Sequence, residues 1–266
     1  MVLGRIAITG AAGTIGTAVR RALRSEAELL LLTDRVPLRA EAPNEEVRPA
    51  DLSDPAAVEA ALAGADAVLH LGGIPDEAPL AALLTANVLG THHVLEAARR
   101  LGIGRVVLAS SNRAAGFYPA GHLTSPREPV RPDGLYGVSK AALEALGSLY
   151  ADKFGLSVLC LRIGTFAPAP VEPRDLATWL SPRDAVGFVR AALTAPARPG
   201  FATAYAVSAN TRRFWELPDR DVLDYVPVDD AEVHSADVPG AELPTDPTAP
   251  QAGPYARPEF TLRHLG

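Results

Sequence analysis

The sequence of 266 residues holds one cysteine, Cys160, so no disulfide can close within the chain, and a reducing, cytoplasmic setting is expected. Cys160 sits in the apolar run Val158-Leu-Cys-Leu-Arg162, which reads as a buried strand and makes it an inert core thiol. Long hydrophobic runs are also missing: none approaches the ~20 residues needed to cross a bilayer. Arg5 and Gly10 fall where the apolar core of a secretory leader would lie, so neither a leader nor a membrane anchor is expected. There is no basic excess either. The formal net charge is −6, which gives no support for a nucleic-acid partner. Six scattered histidines with one cysteine give no metal-ligand spacing. His92 and His93 are adjacent on a helix and point apart, and His70, inside a strand, reads as a satisfied core histidine. No metal is expected. What remains, 48% hydrophobic and 21% charged, is the composition of an ordinary globular protein with room for one large core.

Up to about residue 165, apolar strand-like runs alternate with Ala-rich helical stretches. The runs are 5–9, 28–33, 67–71, 105–109 and 156–161, and their continuous apolar character suits parallel strands covered on both faces. Helical periodicity fills 17–24, 55–63, 79–100 and 136–154. Ser53-Asp-Pro-Ala reads as a capped helix start with proline in the first turn, and Ser181-Pro-Arg-Asp opens a later helix. This alternation predicts an α/β fold, a Rossmann-type doubly wound parallel sheet. After Ile163 the prolines Pro168, Pro170 and Pro173 break the pattern. The division is therefore a core over 1–165 and a small substrate-binding cap over 166–266, partly integrated with the core as one structural unit.

Gly10-Ala-Ala-Gly13-Thr14-Ile15-Gly16 follows the first strand and opens the first helix. Glycines placed so let the backbone turn tightly and approach a pyrophosphate resting on the helix N-terminus. An acid about twenty residues on completes the dinucleotide signal: Asp34, ending the second strand. A carboxylate there accepts from a ribose 2′-hydroxyl and repels a 2′-phosphate, which favours NAD over NADP. Arg35 pulls the other way, since an arginine beside the acid can hold a 2′-phosphate; its alternative place is against the adenine. Asp51-Leu52 ends the third strand region, where Asp51 serves either the adenine amine or a helix-leading turn. Leu71-Gly72-Gly73 ends the next strand, where small residues leave room for ribose and pyrophosphate.

Tyr136 and Lys140 lie four apart on one helix face. A phenol titrates near ~10 in water, too high for a base at neutral pH, and an adjacent ammonium is expected to lower it. Downstream of the glycine loop and beside Ala109-Ser-Ser-Asn112, the pair reads as the catalytic group of a nicotinamide-dependent dehydrogenase.

These residues resemble the extended short-chain dehydrogenase/reductase family, and within it the uronate dehydrogenases. The resemblance is carried by Val-Leu-His-Leu-Gly-Gly-Ile ending at Ile74, Ala-Asn-Val-Leu-Gly-Thr ending at Thr91, and Ala109-Ser-Ser-Asn112. Gly116-Phe-Tyr-Pro119, Arg131-Pro-Asp-Gly-Leu-Tyr-Gly-Val-Ser-Lys140, Asp152-Lys-Phe-Gly155 and Arg162-Ile-Gly164 complete the set. It implies Tyr136 as the base, Lys140 as its helper and holder of the nicotinamide ribose, and Ser111 on the reacting oxygen. It further implies Asn87 and Ile163 as support for the cofactor region, with Ser110 structural. The implied reaction is oxidation of a hexuronic acid, D-galacturonate or D-glucuronate, at C1 to an aldarolactone. Arg174 then holds the substrate carboxylate, its bland alternative being a solvated loop residue, and Asn112 and Thr165 are polar contacts. Two departures bear on the sugar: Pro75 stands where the subfamily tends to have serine, and Arg113 where it tends to have histidine. Arg113 either strengthens carboxylate capture or narrows the pocket. Alternatives are a nucleotide-sugar epimerase or dehydratase, which usually needs a larger C-terminal part, another sugar dehydrogenase of the family, and a non-catalytic dinucleotide sensor, which would typically lack the Tyr or the Lys. The family also implies a homo-oligomer packed through the helices at 79–100 and 136–154.

Overall fold

The computed structural model describes residues 3–196 and 200–265. Seven parallel strands form one sheet: β1 (Leu3–Thr9), β2 (Ala27–Thr33), β3 (Glu45–Val47), β4 (Ala67–His70), β5 (Arg105–Ser111), β6 (Ser157–Ile163) and β9 (Gly200–Ala206). Their order is β3-β2-β1-β4-β5-β6-β9. A further parallel pair, β7 (Thr165–Phe166) and β8 (Trp179–Leu180), lies in the cap. The chain leaves β1 toward one edge and returns at β4 to build toward the other, so the switch point opens a crevice between the carboxyl ends of β1 and β4.

The strands bury both faces, as their unbroken apolar runs predict. Ile6, Ile8, Leu30 and Leu32 point into one layer with Val19, Leu23 and Phe188. Their neighbours Ala7 and Leu31 point into the other with Val58, Leu95, Leu143 and Cys160. The first layer is closed by α1 (Thr14–Leu23) and α7 (Pro182–Thr194), the second by α2 (Pro55–Leu62), α4 (Gly90–Leu101) and α5 (Leu135–Phe154). Asp54 caps α2, accepting from the amides of Ala56 and Ala57, and Ser181 caps α7. The cap adds the short helices α6 (Asp175–Thr178) and α8 (Pro258–Leu262). Trp179 and Trp215 are both buried there as packing residues.

Two strands escape the apolar-run reading. β3 starts with Glu45-Glu46, and Glu45 is buried because Arg20 of α1 and Arg24 at its C-terminal cap neutralise it at 2.7 and 2.6 Å. β9 is small and Ala-rich, Gly-Phe-Ala-Thr-Ala-Tyr-Ala, and brings the cap region into the main sheet beside β6. The helix expected over 79–100 also divides. A four-residue turn, α3 (Leu80–Leu83), passes through a wider π-turn at Leu84–Leu89 before α4 begins. Such turns tend to mark functional sites, and this one holds Asn87.

Below the sheet's carboxyl edge, Arg162 donates Nε and Nη2 to Glu144 at 2.9 and 2.8 Å, both side chains buried, and Ser110 hydroxyl adds 2.5 Å. Removing one partner strands a buried charge. Glu144→Ala is expected to lower unfolding free energy by about 3–5 kcal/mol in urea titration; a loss under ~1 kcal/mol would show that the pair is dispensable to the core.

Candidate active site

The switch-point crevice begins at the glycine loop. Gly10 has φ +69°, and a Cβ there would meet Gly72 N and Leu71 C at 2.7 Å. At Gly16 it would meet Gly10 O at 2.3 Å. The loop is thus a backbone cradle that side chains would fill. Gly13, ahead of α1, supplies no capping side chain, so the first-turn amides of Thr14 and Ile15 are left to an incoming acceptor. Asp34 is tied to this cradle: its Oδ2 accepts from Ala12 N and its Oδ1 from Val36 N, both at 3.0 Å. The arrangement fits a dinucleotide with a free ribose diol. Asp51 accepts from Ser53 N and Oγ through Oδ1 alone, which makes it a turn residue and leaves its other oxygen open. Leu52 packs beneath Gly72 and Gly90.

Beyond β4 the chain runs through Leu71, Gly72 and Gly73, the last at φ +144°. Asn87 pins this loop, accepting from Ile74 N at 2.7 Å and donating to Ile74 O at 3.1 Å and Ser139 Oγ at 2.9 Å. Its part is to join the glycine turn to α5. His70 behind it is held between Thr9 and Thr91 hydroxyls at 2.7 and 3.1 Å. Burial pushes it down to about 3, so it is neutral.

Ser111 ends β5, and Tyr136 and Lys140 stand on the first two turns of α5, all three buried. Lys140 Nζ donates to Ala109 O at 2.8 Å and lies 5.5 Å from the Tyr136 ring centroid. The titration differs from the sequence expectation. Burial raises Tyr136 to about 12, with the Ser111 hydroxyl and the Arg113 guanidinium opposing it, and burial lowers Lys140 to about 8. Desolvation outweighs the local cation because both groups are almost fully covered.

On the substrate side, Asn112 donates to Ile163 O at 3.0 Å and accepts from Arg174 Nη2 at 3.4 Å. Arg174 also donates Nε to Gln251 O at 2.8 Å and faces the Tyr255 ring at 5.5 Å. Among the described residues no carboxylate pairs with it, and burial pulls its pKa down. Thr165 hydroxyl is bonded to that of Thr178 at 2.7 Å. Arg113 does not stand ready for a ligand carboxylate, and that reading is corrected. Its Nε, Nη1 and Nη2 go to Asp133 at 2.6 Å, Asp76 at 2.9 Å and Glu77 at 3.3 Å. The Tyr255, Phe260 and Tyr136 rings enclose it at 4.4, 5.0 and 5.4 Å. Asp133 beside it is raised to about 6 by burial, against the pull of Arg113.

Sequence reading missed Glu77, Gln251 and Tyr255, which act through partners far along the chain with no local motif to mark them, and it gave no role to Asp133, which lies within the Arg131–Lys140 motif. Among the described residues no cluster fit for a metal ion occurs, and no helix is long and apolar enough to cross a membrane.

The chain matches the NAD dependent epimerase/dehydratase family over residues 6–183. It is 41% identical to a uronate dehydrogenase of Agrobacterium fabrum, over 91% of this chain and 91% of that protein. With a uronate dehydrogenase of Pseudomonas syringae pv. tomato the identity is 39%, over 91% of this chain and 88% of the other. A tyrosine-to-alanine mutant of uronate dehydrogenase from Agrobacterium tumefaciens, complexed with NAD, superposes with TM-score 0.89 at 39% identity, covering 97% of this chain and 99% of that one.

Lys140 gives a pH prediction. Its folded pKa of about 8 lies below the ordinary 10.5, so folding must strip or bury its proton below pH 8, and this penalty fades as pH rises toward 10.5. Lys140→Met should therefore be more stable than wild type at pH 7, with the gap in urea unfolding narrowing by about 2 kcal/mol by pH 9.5. A gap independent of pH would contradict the assignment.

Proposed function

Since the chain belongs to the NAD dependent epimerase/dehydratase family, we propose that it is an NAD-dependent oxidoreductase oxidising the C1 hydroxyl of a hexuronic acid, D-galacturonate or D-glucuronate, to the aldarolactone. The observation that carries the acidic substrate is Arg174, a partly buried guanidinium with no carboxylate partner among the described residues, fixed by Gln251 O and Asn112. A buried cation left so is unfavourable unless a ligand supplies the anion, and a guanidinium matches a carboxylate bidentately. Asn112 and Thr165 contribute polar contacts beside it, while Arg113 shapes the wall.

The Gly10–Gly16 cradle, Asp34, the Leu71–Gly73 turn and Lys140 are the groups that would hold NAD, with Asp51, Leu52, Asn87 and Ile163 around them. When bound, NAD supplies the hydride acceptor. Ser111 holds the C1 oxygen, and Tyr136 removes its proton. A phenol at about 12 stays protonated at neutral pH and must give up its own proton to solvent before it can accept that of the C1 hydroxyl. The nearby cation therefore matters: Lys140, protonated below about 8, favours the phenolate.

Along α3–α4 and α5, Leu80, Leu84, Leu89, Val138, Leu149 and Phe154 are exposed, which supports a homo-oligomer joined through these helices. The single buried thiol accords with a cytoplasmic setting.

The test follows NADH formation at 340 nm with NAD or NADP against D-galacturonate, D-glucuronate and the matching neutral aldoses. The expected outcome is turnover with NAD on the uronates, and a loss of at least ~10³-fold in Tyr136→Phe with NAD binding kept. Turnover on neutral aldoses alone would overturn the substrate; a fully active Tyr136→Phe would overturn the base.

A further inference from the structure

The helix that carries Tyr136 is capped from a distance. Gly134, before α5, is extended (φ −171°) and brings no side chain to the helix end. The first-turn amides are taken instead by Glu77, from the segment that follows Gly72 and Gly73. Leu135 N donates to Oε1 at 2.8 Å and Tyr136 N to Oε2 at 3.1 Å. Glycine at 134 makes the approach possible, because a Cβ there would lie 2.6 Å from Oε2. The same carboxylate accepts from Thr261 Oγ1 at 3.1 Å and Arg113 Nη2 at 3.3 Å, and its side chain is 1% exposed.

A serine or aspartate at 134 would cap the helix locally, a contribution typically of ~1 kcal/mol. A buried carboxylate brought from another segment is an expensive way to obtain that alone. What it adds is a fixed distance. Glu77 lies four residues beyond Gly73, on the loop whose glycines form the cofactor-side wall, and its two oxygens hold the backbone amides of the base and of the residue before it. A misplacement of about 1 Å between reacting groups can cost ~10²-fold in rate. We propose that Glu77 is a positioning residue for proton transfer, locking the Tyr136 backbone to the cofactor-side loop and, through Thr261, to the C-terminal α8. The inference rests on Tyr136 being the base.

Glu77→Gln keeps the shape but turns an amide NH₂ toward one of the two backbone donors. Expected results are a fall in kcat on the uronate of ~30–100-fold, NAD affinity by calorimetry changed less than about threefold, and hydrogen exchange at the Leu135 and Tyr136 amides faster by ~10-fold. In a Tyr136→Phe background the added Glu77→Gln should change the residual rate little, since the two act on one step. Should Glu77→Gln not fold, Glu77→Asp, with the charge kept and the reach shortened, is read the same way. A kcat within twofold of wild type despite faster exchange would reduce Glu77 to a structural cap and overturn the proposal. So would a loss of NAD affinity matching the loss of rate. A wild-type protein silent on uronates overturns the substrate alone, and Glu77 is then read on the aldose it does oxidise; silence on every sugar overturns the base and this inference together.

Discussion

Charge buried at the carboxyl edge of a parallel sheet costs several kcal/mol per ion unless it is matched, and the site is organised by which charges are matched from within. Arg162 and Glu144 neutralise each other under the edge. Arg113 is held by Asp133, Asp76 and Glu77 and wrapped by three rings. Among the described residues Lys140 donates to the Ala109 carbonyl, and Arg174 to a carbonyl and an amide oxygen. In the proposed reading these two cations, with no carboxylate in salt-bridge reach among the described residues, serve the proton transfer and the substrate carboxylate. The others form the frame that keeps those two apart and in position.

The frame depends on long-range pairs. Glu45 becomes a strand residue because Arg20 and Arg24 reach it. Asn87, turned inward by the π-turn, ties the Gly73–Ile74 loop to α5. Gln251 is a hub in the cap: its amide bonds Thr124 and Trp215 while its carbonyl orients Arg174. Thr261 then brings the C-terminal α8 against Glu77. The substrate wall is thus assembled by segments distant in sequence, and the Rossmann frame fixes where they meet.

That division explains what was legible in advance. The glycine loop, Asp34 and the Tyr136–Lys140 pair announce themselves because their chemistry needs fixed local spacing, and the apolar runs of β1, β2, β4, β5 and β6 reflect two buried faces. The third strand, expected to end at Asp51-Leu52, runs instead over Glu45–Val47, because its glutamates are neutralised, Glu45 by Arg20 and Arg24 and Glu46 by Arg48. β9 stayed hidden behind small residues that suit a helix equally. Arg113 and Arg174 look alike as letters in a sequence. Only the three carboxylates bonded to the first, and the lack of any within salt-bridge distance of the second among the described residues, separate an internal counter-ion from a candidate clamp. The pKa of Tyr136 was out of reach for a related reason: spacing shows the ammonium nearby, whereas burial, which dominates, is a property of the packed site.

The central claim is that Arg174 reads the substrate carboxylate, and the most direct measurement is the ratio of kcat/KM for D-glucuronate over D-glucose in wild type and Arg174→Met. Loss of one charge-assisted pair in a partly buried site predicts a fall in that ratio of about 100-fold, arising in D-glucuronate, with D-glucose little changed. An unchanged ratio, or an equal loss on both sugars, would contradict the account.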